Sequence, residues 1–215
     1  MSGEKKSAFI DVSYLPPLEY FSAILDCSDL LIDEHAIFQK QSAFNRTTIL
    51  LSNKVELLSI PVFGSRKRQL YRDVKIDYSQ KWMQVHLRGI QSAYGKAPFF
   101  EFFFPDLENE FLKKPAFLWD FNWGLLTLCL QLAQINISIK KNIVYSQEED
   151  LEDLRFLTRD KAVFSTRNYY QPHSYSQLFG ADFVPNLSII DLLFCEGPST
   201  KRILELSRKK TLNNQ

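Results

Sequence analysis

The chain has 215 residues, enough for one domain with a sizeable buried core. Hydrophobic residues make up 45% and charged residues 24%, values typical of a globular protein that exclude the disordered and fibrous classes. With 26 Lys and Arg against 25 Asp and Glu, the net charge of +1 is too small to attract nucleic acid or anionic lipid. Eighteen Phe and only seven Gly indicate an aromatic core and argue against a Gly-rich phosphate loop.

The first half of the chain is predicted to consist mainly of strands. Pro16 and Pro17 favour the start of one helix, over 18–26, because proline suits the first helical turn. Turn residues at 52–54 predict that the strands on either side form a hairpin. Strands are predicted, in chain order, over residues 8–14, 30–33, 48–51, 55–62 and 74–76.

The second half is predicted to be mainly helical, with short strands at 136–140 and 143–145 and a loop at 168–175. Gly197 is predicted to stop a helix in the left-handed conformation. Helices are predicted over 80–94, from Pro98 through the Phe-rich stretch, and over 117–134, 147–157, 188–196 and 198–207. We therefore predict an α/β or α+β fold, with a mixed sheet and a helical second half, in a single compact domain over 1–215 whose tail frays at 208–215.

No targeting or membrane segment is predicted. The apolar run at 8–12 is too short for a signal peptide, and polar residues such as Asp120 and Asn122 interrupt the most apolar stretch, 116–135. Three widely spaced cysteines, Cys27, Cys129 and Cys195, predict buried free thiols rather than a disulfide framework. These features predict a cytoplasmic protein with no membrane span.

Short catalytic and cofactor motifs are absent from the sequence. It contains no P-loop, G-x-G-x-x-G, G-x-S-x-G or H-E-x-x-H motif, and its three histidines are dispersed. No metal site is predicted, and the cofactor is left open. Because many active sites assemble from scattered residues, an enzyme is not excluded.

His86 is the most informative polar residue. It falls within the apolar stripe of the helix over 80–94, with Trp82 one turn away. An inward imidazole is a candidate general acid or base. The alternative is a core histidine satisfied by a hydrogen bond.

Two further polar features are candidates for binding, and a third, a pair of adjacent acids, is not. Asn45 and Arg46 follow a predicted strand, where Arg binds carboxylate or phosphate in a two-pronged manner; the alternative is a solvated loop. Asp191 lies among apolar residues and must find a partner, or else neutralises a helix N-terminus. Asp33 and Glu34 are adjacent on a strand and therefore face opposite sides, which argues against joint acid–base work.

Two further sequence patterns, a basic patch and a Phe-rich run, are interpreted as parts of the structure rather than as binding sites. The basic patch at 66–75 has one aromatic residue, Tyr71, which is too few for a single-strand stacking platform, so no nucleic-acid partner is predicted. The Phe-rich run at 99–104 is interpreted as core rather than as a partner surface.

Several segments in order resemble the WbqC-like protein family, over about residues 8–205. The matching pieces lie at 14–21, 38–42 with Asn45 and Arg46, 81–82 with His86, 94–101, 175–179 and 183–197. Larger members carry His-Gln-Pro where this chain has Ile10, Asp11 and Val12. The difference implies that any chemistry of that triplet is lost or different here.

The resemblance implies a role in surface polysaccharide (O-antigen-type) biosynthesis, because the family occurs in such gene clusters. The first interpretation is a group-transfer or modifying enzyme, a candidate transferase, that takes a small-molecule or glycan-precursor ligand. In it His86 transfers a proton, and the ligand-binding or orienting side chains are Asn45, Arg46, Trp82, Tyr175, Gln177 and Asp191. The second is a non-enzymatic module that docks on a protein partner. A deep cleft lined by His86 and Arg46 favours the enzyme, and a flat apolar patch favours the module.

Overall fold

A parallel β-sheet lies at the centre of the fold. The computed structural model describes residues 6–64, 68–142, 151–160, 164–180 and 182–209. The described strands are β1 (Lys6–Ile10), β2 (Cys27–Asp33), β3 (Arg46–Leu50), β4 (Val55–Ser59), β5 (Ser138–Asn142) and β6 (Leu151–Asp153). Four of them form a sheet in the order β5-β2-β1-β6, in which every neighbouring pair is parallel. Their carboxyl ends therefore share one edge of the sheet.

A short crossover connects the two central strands. Helix α1 (Leu18–Ile24) follows β1 and leads into β2, the connection that a parallel pair requires. Pro17 stands directly before the helix with a φ of −73°. Ala8, Phe9 and Ile10 are all buried, as expected for a strand that is covered on both faces.

The remaining two strands form a separate antiparallel hairpin. Its register pairs Arg46 with Ser59 and Leu50 with Val55. The amide of Ser188 donates a hydrogen bond to the Thr48 carbonyl at 3.0 Å, which attaches the hairpin to the segment before the next-to-last helix. The hairpin therefore packs on the body of the fold, with Ile49 and Leu58 in the core, without joining the parallel sheet.

Helices surround these strands and complete a single hydrophobic core. They are α2 (Trp82–Tyr94), α3 (Phe100–Leu112), α4 (Leu118–Leu132), α5 (Phe156–Arg159), α6 (Ile189–Glu196) and α7 (Thr200–Leu206). Helix α4 is buried on most of its faces, as the sequence predicted. Among the described residues, no helix combines the length and hydrophobicity that a bilayer crossing requires.

The predicted fold class is confirmed, although the parallel and antiparallel strands occupy separate sheets. The predicted hairpin and the helices at 18–26, 80–94, 117–134 and 188–196 are also present. The buried free thiols are confirmed as well: burial raises the pKa of Cys27 to about 11 and those of Cys129 and Cys195 to about 12.

Other predictions were wrong. The described part of 147–157 is the strand β6 followed by α5, because residues 151–153 pair with β1 and this pairing outweighs the helical pattern. Within 74–76, Lys75 and Ile76 form isolated bridges rather than a strand. Gly197 does end α6, as predicted, but its φ of +51° and ψ of −119° are not those of the left-handed helical conformation. The predicted strand at 143–145 and the start of the basic patch lie outside the described residues.

Candidate functional site

Charged side chains meet at the carboxyl edge of the parallel sheet. Asp11 follows the last residue of β1, Asp33 is the last residue of β2, and Arg155 comes two residues after β6. Arg159 reaches the same edge from the end of α5. In open parallel sheets, ligands bind outside the carboxyl ends of the strands, so this edge is where a site is expected.

Arg159 joins the two carboxylates. Its Nε and Nη2 atoms donate to the two oxygens of Asp11, each at 2.7 Å, and Nη2 also donates to Asp33 at 2.8 Å. The Thr158 hydroxyl donates to Asp11 at 2.8 Å, and Arg155 Nη1 donates to Asp33 at 3.0 Å. We call Asp11, Asp33, Arg155 and Arg159 the sheet-edge cluster.

The two carboxyl groups have different electrostatic environments. Burial raises the pKa of Asp11, and the hydrogen bonds and charge of Arg159 offset this only in part. Burial also acts to raise the pKa of Asp33, but bonds from Arg159, the His35 amide and Arg155 lower it overall. Such a separation between neighbouring carboxyl groups is a feature of sites that use one acid and one base.

A cleft of about 490 Å³ opens beside the cluster, between the hairpin and α5. Arg46 lines one wall and Arg159 the other, and Nε of Arg46 is buried with no hydrogen-bond partner among the described residues. Polar groups line much of the rest, including Ser42, Thr47, Thr48, Thr158 and Asn186. The volume lies within the range of small-molecule sites. We call it the hairpin cleft.

Asn45 lies behind the hairpin cleft and does not line it. Its side-chain amide donates to the Ile60 carbonyl at 2.9 Å, and the Ile60 amide donates to the Asn45 carbonyl at 2.9 Å. Asn45 therefore joins the start of β3 to the end of β4, which positions Arg46 on the adjacent backbone. Its predicted contact with ligand stays a prediction.

His86 and Trp82 lie in the aromatic core. The Tyr14 hydroxyl binds Nδ1 of His86 at 2.8 Å, and the ring also hydrogen bonds to the backbone of Ser59. Trp82 contacts the imidazole edge-on, with ring centroids 5.1 Å apart. His86 is 4% exposed and does not line the hairpin cleft. Proton transfer by His86 therefore stays a prediction that this geometry does not support; the placement matches the alternative of a satisfied core histidine.

The burial of His86 has a measurable consequence at acidic pH. Desolvation lowers its pKa to about 4, below the ordinary 6.5. The unfolded chain binds the proton more readily than the folded one. We therefore expect the contribution of neutral His86 to the free energy of unfolding to be fully present above pH 6.5 and to be lost progressively as the pH falls towards 4. The loss should reach roughly 2–3 kcal/mol by pH 4.5. Urea unfolding at pH 7.0 and 4.5 measures it, with His86→Gln as the non-titrating reference; equal pH dependence in both proteins would contradict it.

Tyr175, Gln177 and Asp191 do meet, in a buried network at α6. The Tyr175 hydroxyl donates to Oδ2 of Asp191 at 2.5 Å, and Nε2 of Gln177 donates to the same atom at 3.1 Å. Tyr94 contacts Asp191 from α2 and accepts a bond from the Leu50 amide at 3.2 Å. Asp191 is fully buried, which raises its pKa. We call this the α6 network.

The seven candidate site residues are therefore not brought together at the cleft. They are His86 and the six predicted ligand-binding residues, Asn45, Arg46, Trp82, Tyr175, Gln177 and Asp191. Arg46 lines the cleft, Asn45 supports Arg46, His86 contacts Ser59 of β4, and the α6 network reaches Leu50 of β3. No other candidate among the seven lines the hairpin cleft. Their roles in ligand binding stay predictions.

Sequence reasoning missed the importance of Asp11, Arg155 and Arg159, and set Asp33 aside. One signal was present: two buried apolar runs each end at an aspartate, the arrangement expected at the carboxyl edge of a parallel sheet. The spacing of Arg155 and Arg159 by four residues also places both on one helical face. Among the described residues, no group of three or more His, Cys, Asp or Glu is arranged to hold a metal ion.

Comparison with known proteins adds one match. The model of the WbqC-like protein family matches residues 12–173 and 149–203, which together span most of the chain. Neither the curated proteins nor the solved structures contain a match.

Proposed function

The chain belongs to the WbqC-like protein family, and from this premise we propose that it is an enzyme that modifies a surface-polysaccharide precursor, or transfers a group to it, in the hairpin cleft. The ligand carries an anionic group, a phosphate or a carboxylate. Arg46 and Arg159 bind that group from opposite walls, and the hydroxyls of the cleft bind sugar hydroxyls. The cytoplasmic location predicted from the sequence is part of this proposal.

One observation carries the proposal: two arginines face one cleft at the carboxyl edge of a parallel sheet. The arginines differ in a way that suits binding. Arg159 is held by Asp11 and Asp33, so its orientation is set before a ligand arrives. Arg46 Nε has no partner among the described residues, so an anion would satisfy a donor that is otherwise buried without one.

The sheet-edge cluster also sets the orientation of Arg159. Burial raises the pKa of Asp11, whereas the bonds from Arg159, the His35 amide and Arg155 lower the pKa of Asp33. Both carboxyl groups accept bonds from Arg159 and so hold its guanidinium in place. Asp11 is fully buried, so it acts through Thr158 and Arg159 rather than on the ligand directly. In this proposal Asp11 is a positioning residue for Arg159.

The test is calorimetric titration of the full chain with glucose 1-phosphate and, separately, with glucuronate. We expect one of the two to bind, and Arg46→Gln to weaken that binding at least tenfold because the charged donor from one wall is lost. Arg72→Gln, an exposed arginine outside the cleft, should leave the affinity unchanged. Equal affinity in the wild type and Arg46→Gln, or no binding of either probe, would contradict the proposal.

The binding-module alternative has its own supporting observation. Val55 and Leu57 of β4 are about half exposed, and Phe102 of α3 is 72% exposed. Exposed apolar side chains of this kind are found where proteins dock. A module would bind neither probe, and Leu57→Ser would then weaken capture of a biosynthetic partner while Arg46→Gln would not.

A further inference from the structure

A cavity of about 740 Å³ lies at the opposite, amino edge of the parallel sheet. Its walls are the first residues of β1 and β2, the end of α1, the segment before β5, and the C-terminal residues that follow α7. None of its lining residues also lines the hairpin cleft. It is therefore separate from the site of the proposed function.

The charge around this cavity is positive. Four basic side chains line it, Lys6, Lys201, Arg208 and Lys209, against the two acids Asp26 and Glu152. Both acids already have partners: Arg208 binds Asp26, and the Tyr169 hydroxyl donates to Glu152 at 2.8 Å. Lys6 and Lys201 form no ion pair within the described part of the chain, so two cations face the cavity without a partner.

A buried polar atom lies behind the wall of this cavity. Ser22 of α1 lines it and is only 2% exposed, and its hydroxyl has no hydrogen-bond partner among the described residues. A buried hydroxyl without a partner costs free energy, so such groups normally bind a protein atom, a water or a ligand. Ser22 therefore places an unpartnered polar group next to the cavity, independently of the lysines.

We propose that this amino-edge cavity is a second binding site and that it takes a phosphate monoester. The excess of two positive charges matches the nearly double negative charge of a phosphate monoester at neutral pH better than the single charge of a carboxylate. Lys6 and Lys201 neutralise the phosphate as point charges. Leu25, Ile135 and Ile137 supply an apolar wall for the rest of the molecule.

The test is titration of the full chain with glucose 1-phosphate in low salt, followed by NMR through the resonances of residues 22–23 and 25–27, which line this cavity and not the hairpin cleft. We expect the double variant Lys6→Gln, Lys201→Gln to weaken binding at this site at least tenfold, because both unpaired cations are removed. Both lysines are exposed, so the double variant should fold.

Three matched measurements make the proposal falsifiable. Lys113→Gln, which removes an exposed lysine on the far end of α3, should not change the affinity; an equal loss would show nonspecific attraction and overturn the site. Arg46→Gln should also have no effect here, which separates this site from the hairpin cleft. Unchanged affinity in the double variant would overturn the proposal, and equal affinity for glucuronate would overturn the assignment to phosphate.

Discussion

Substitution of Asp11 by alanine should destabilise the protein by about 3 kcal/mol. Asp11 is fully buried and accepts two bonds from Arg159 and one from Thr158. Breaking one partner of a buried ion pair costs about 3–5 kcal/mol because the other charge is left uncompensated. We expect the lower end of this range, since Arg159 keeps Asp33 and 26% of its side chain is exposed. Urea unfolding at pH 7 measures the change.

The matched control is Asp29→Ala in the neighbouring strand. Asp29 pairs with Lys140 at 2.5 Å, but 58% of the lysine side chain is exposed. Exposed ion pairs contribute at most about 1 kcal/mol, so this variant should unfold close to the wild type. Equal destabilisation by the two substitutions would show that Asp11 has no special structural role. Such a result would also remove the basis for assigning it the positioning of Arg159.

Substitution of Asp191 by alanine should cost roughly 3–5 kcal/mol. The variant removes the acceptor for the Tyr175 hydroxyl and one acceptor for the Gln177 amide, and it removes the contact with Tyr94. Each buried donor left without an acceptor costs about 1–3 kcal/mol. Because these groups connect α6, α2 and the hairpin, we expect the loss to appear as a lower urea midpoint for the whole chain.

Asp120→Ala tests the alternative explanation for Asp191. Both aspartates lie in the first turn of a helix, Asp191 in α6 and Asp120 in α4, but Asp120 is exposed. If Asp191 only neutralised the helix N-terminus, the two substitutions would have similar effects, below about 1 kcal/mol. We expect Asp191→Ala to be several times more destabilising. Asp191→Asn, which keeps one acceptor oxygen for Tyr175, should fall between the two.

Both predictions concern polar groups whose role depends on distant neighbours. Asp11 binds Arg159, 148 residues away in the chain, and Asp191 binds Tyr175, 16 residues away. The sequence indicated that Asp191 needs a partner, because an acid among apolar residues is costly. It did not identify Arg159 as a partner for Asp11, since spacing in the chain contains no signal for that pair.

The sequence by itself determined the local features of this protein. The hairpin at β3 and β4, the amphipathic helix α2 and the central helix α4 follow from turn residues and from the period of their apolar side chains. The three buried thiols follow from cysteine number and spacing. Such features depend on neighbours within a few residues, so the order of side chains is enough to predict them.

Only the tertiary structure decided which polar residues share a site. Parallel pairing brings the ends of β1, β2 and β6 to one edge and thereby joins Asp11 and Asp33 to Arg159. The same packing places His86 against Tyr14 in the core and leaves Arg46 alone of the seven candidates in the hairpin cleft. The helical period of apolar residues predicted that His86 points inward. A side chain in the core and a side chain that lines a cleft both point inward, however. The difference between them is set by long-range packing, which no local pattern records.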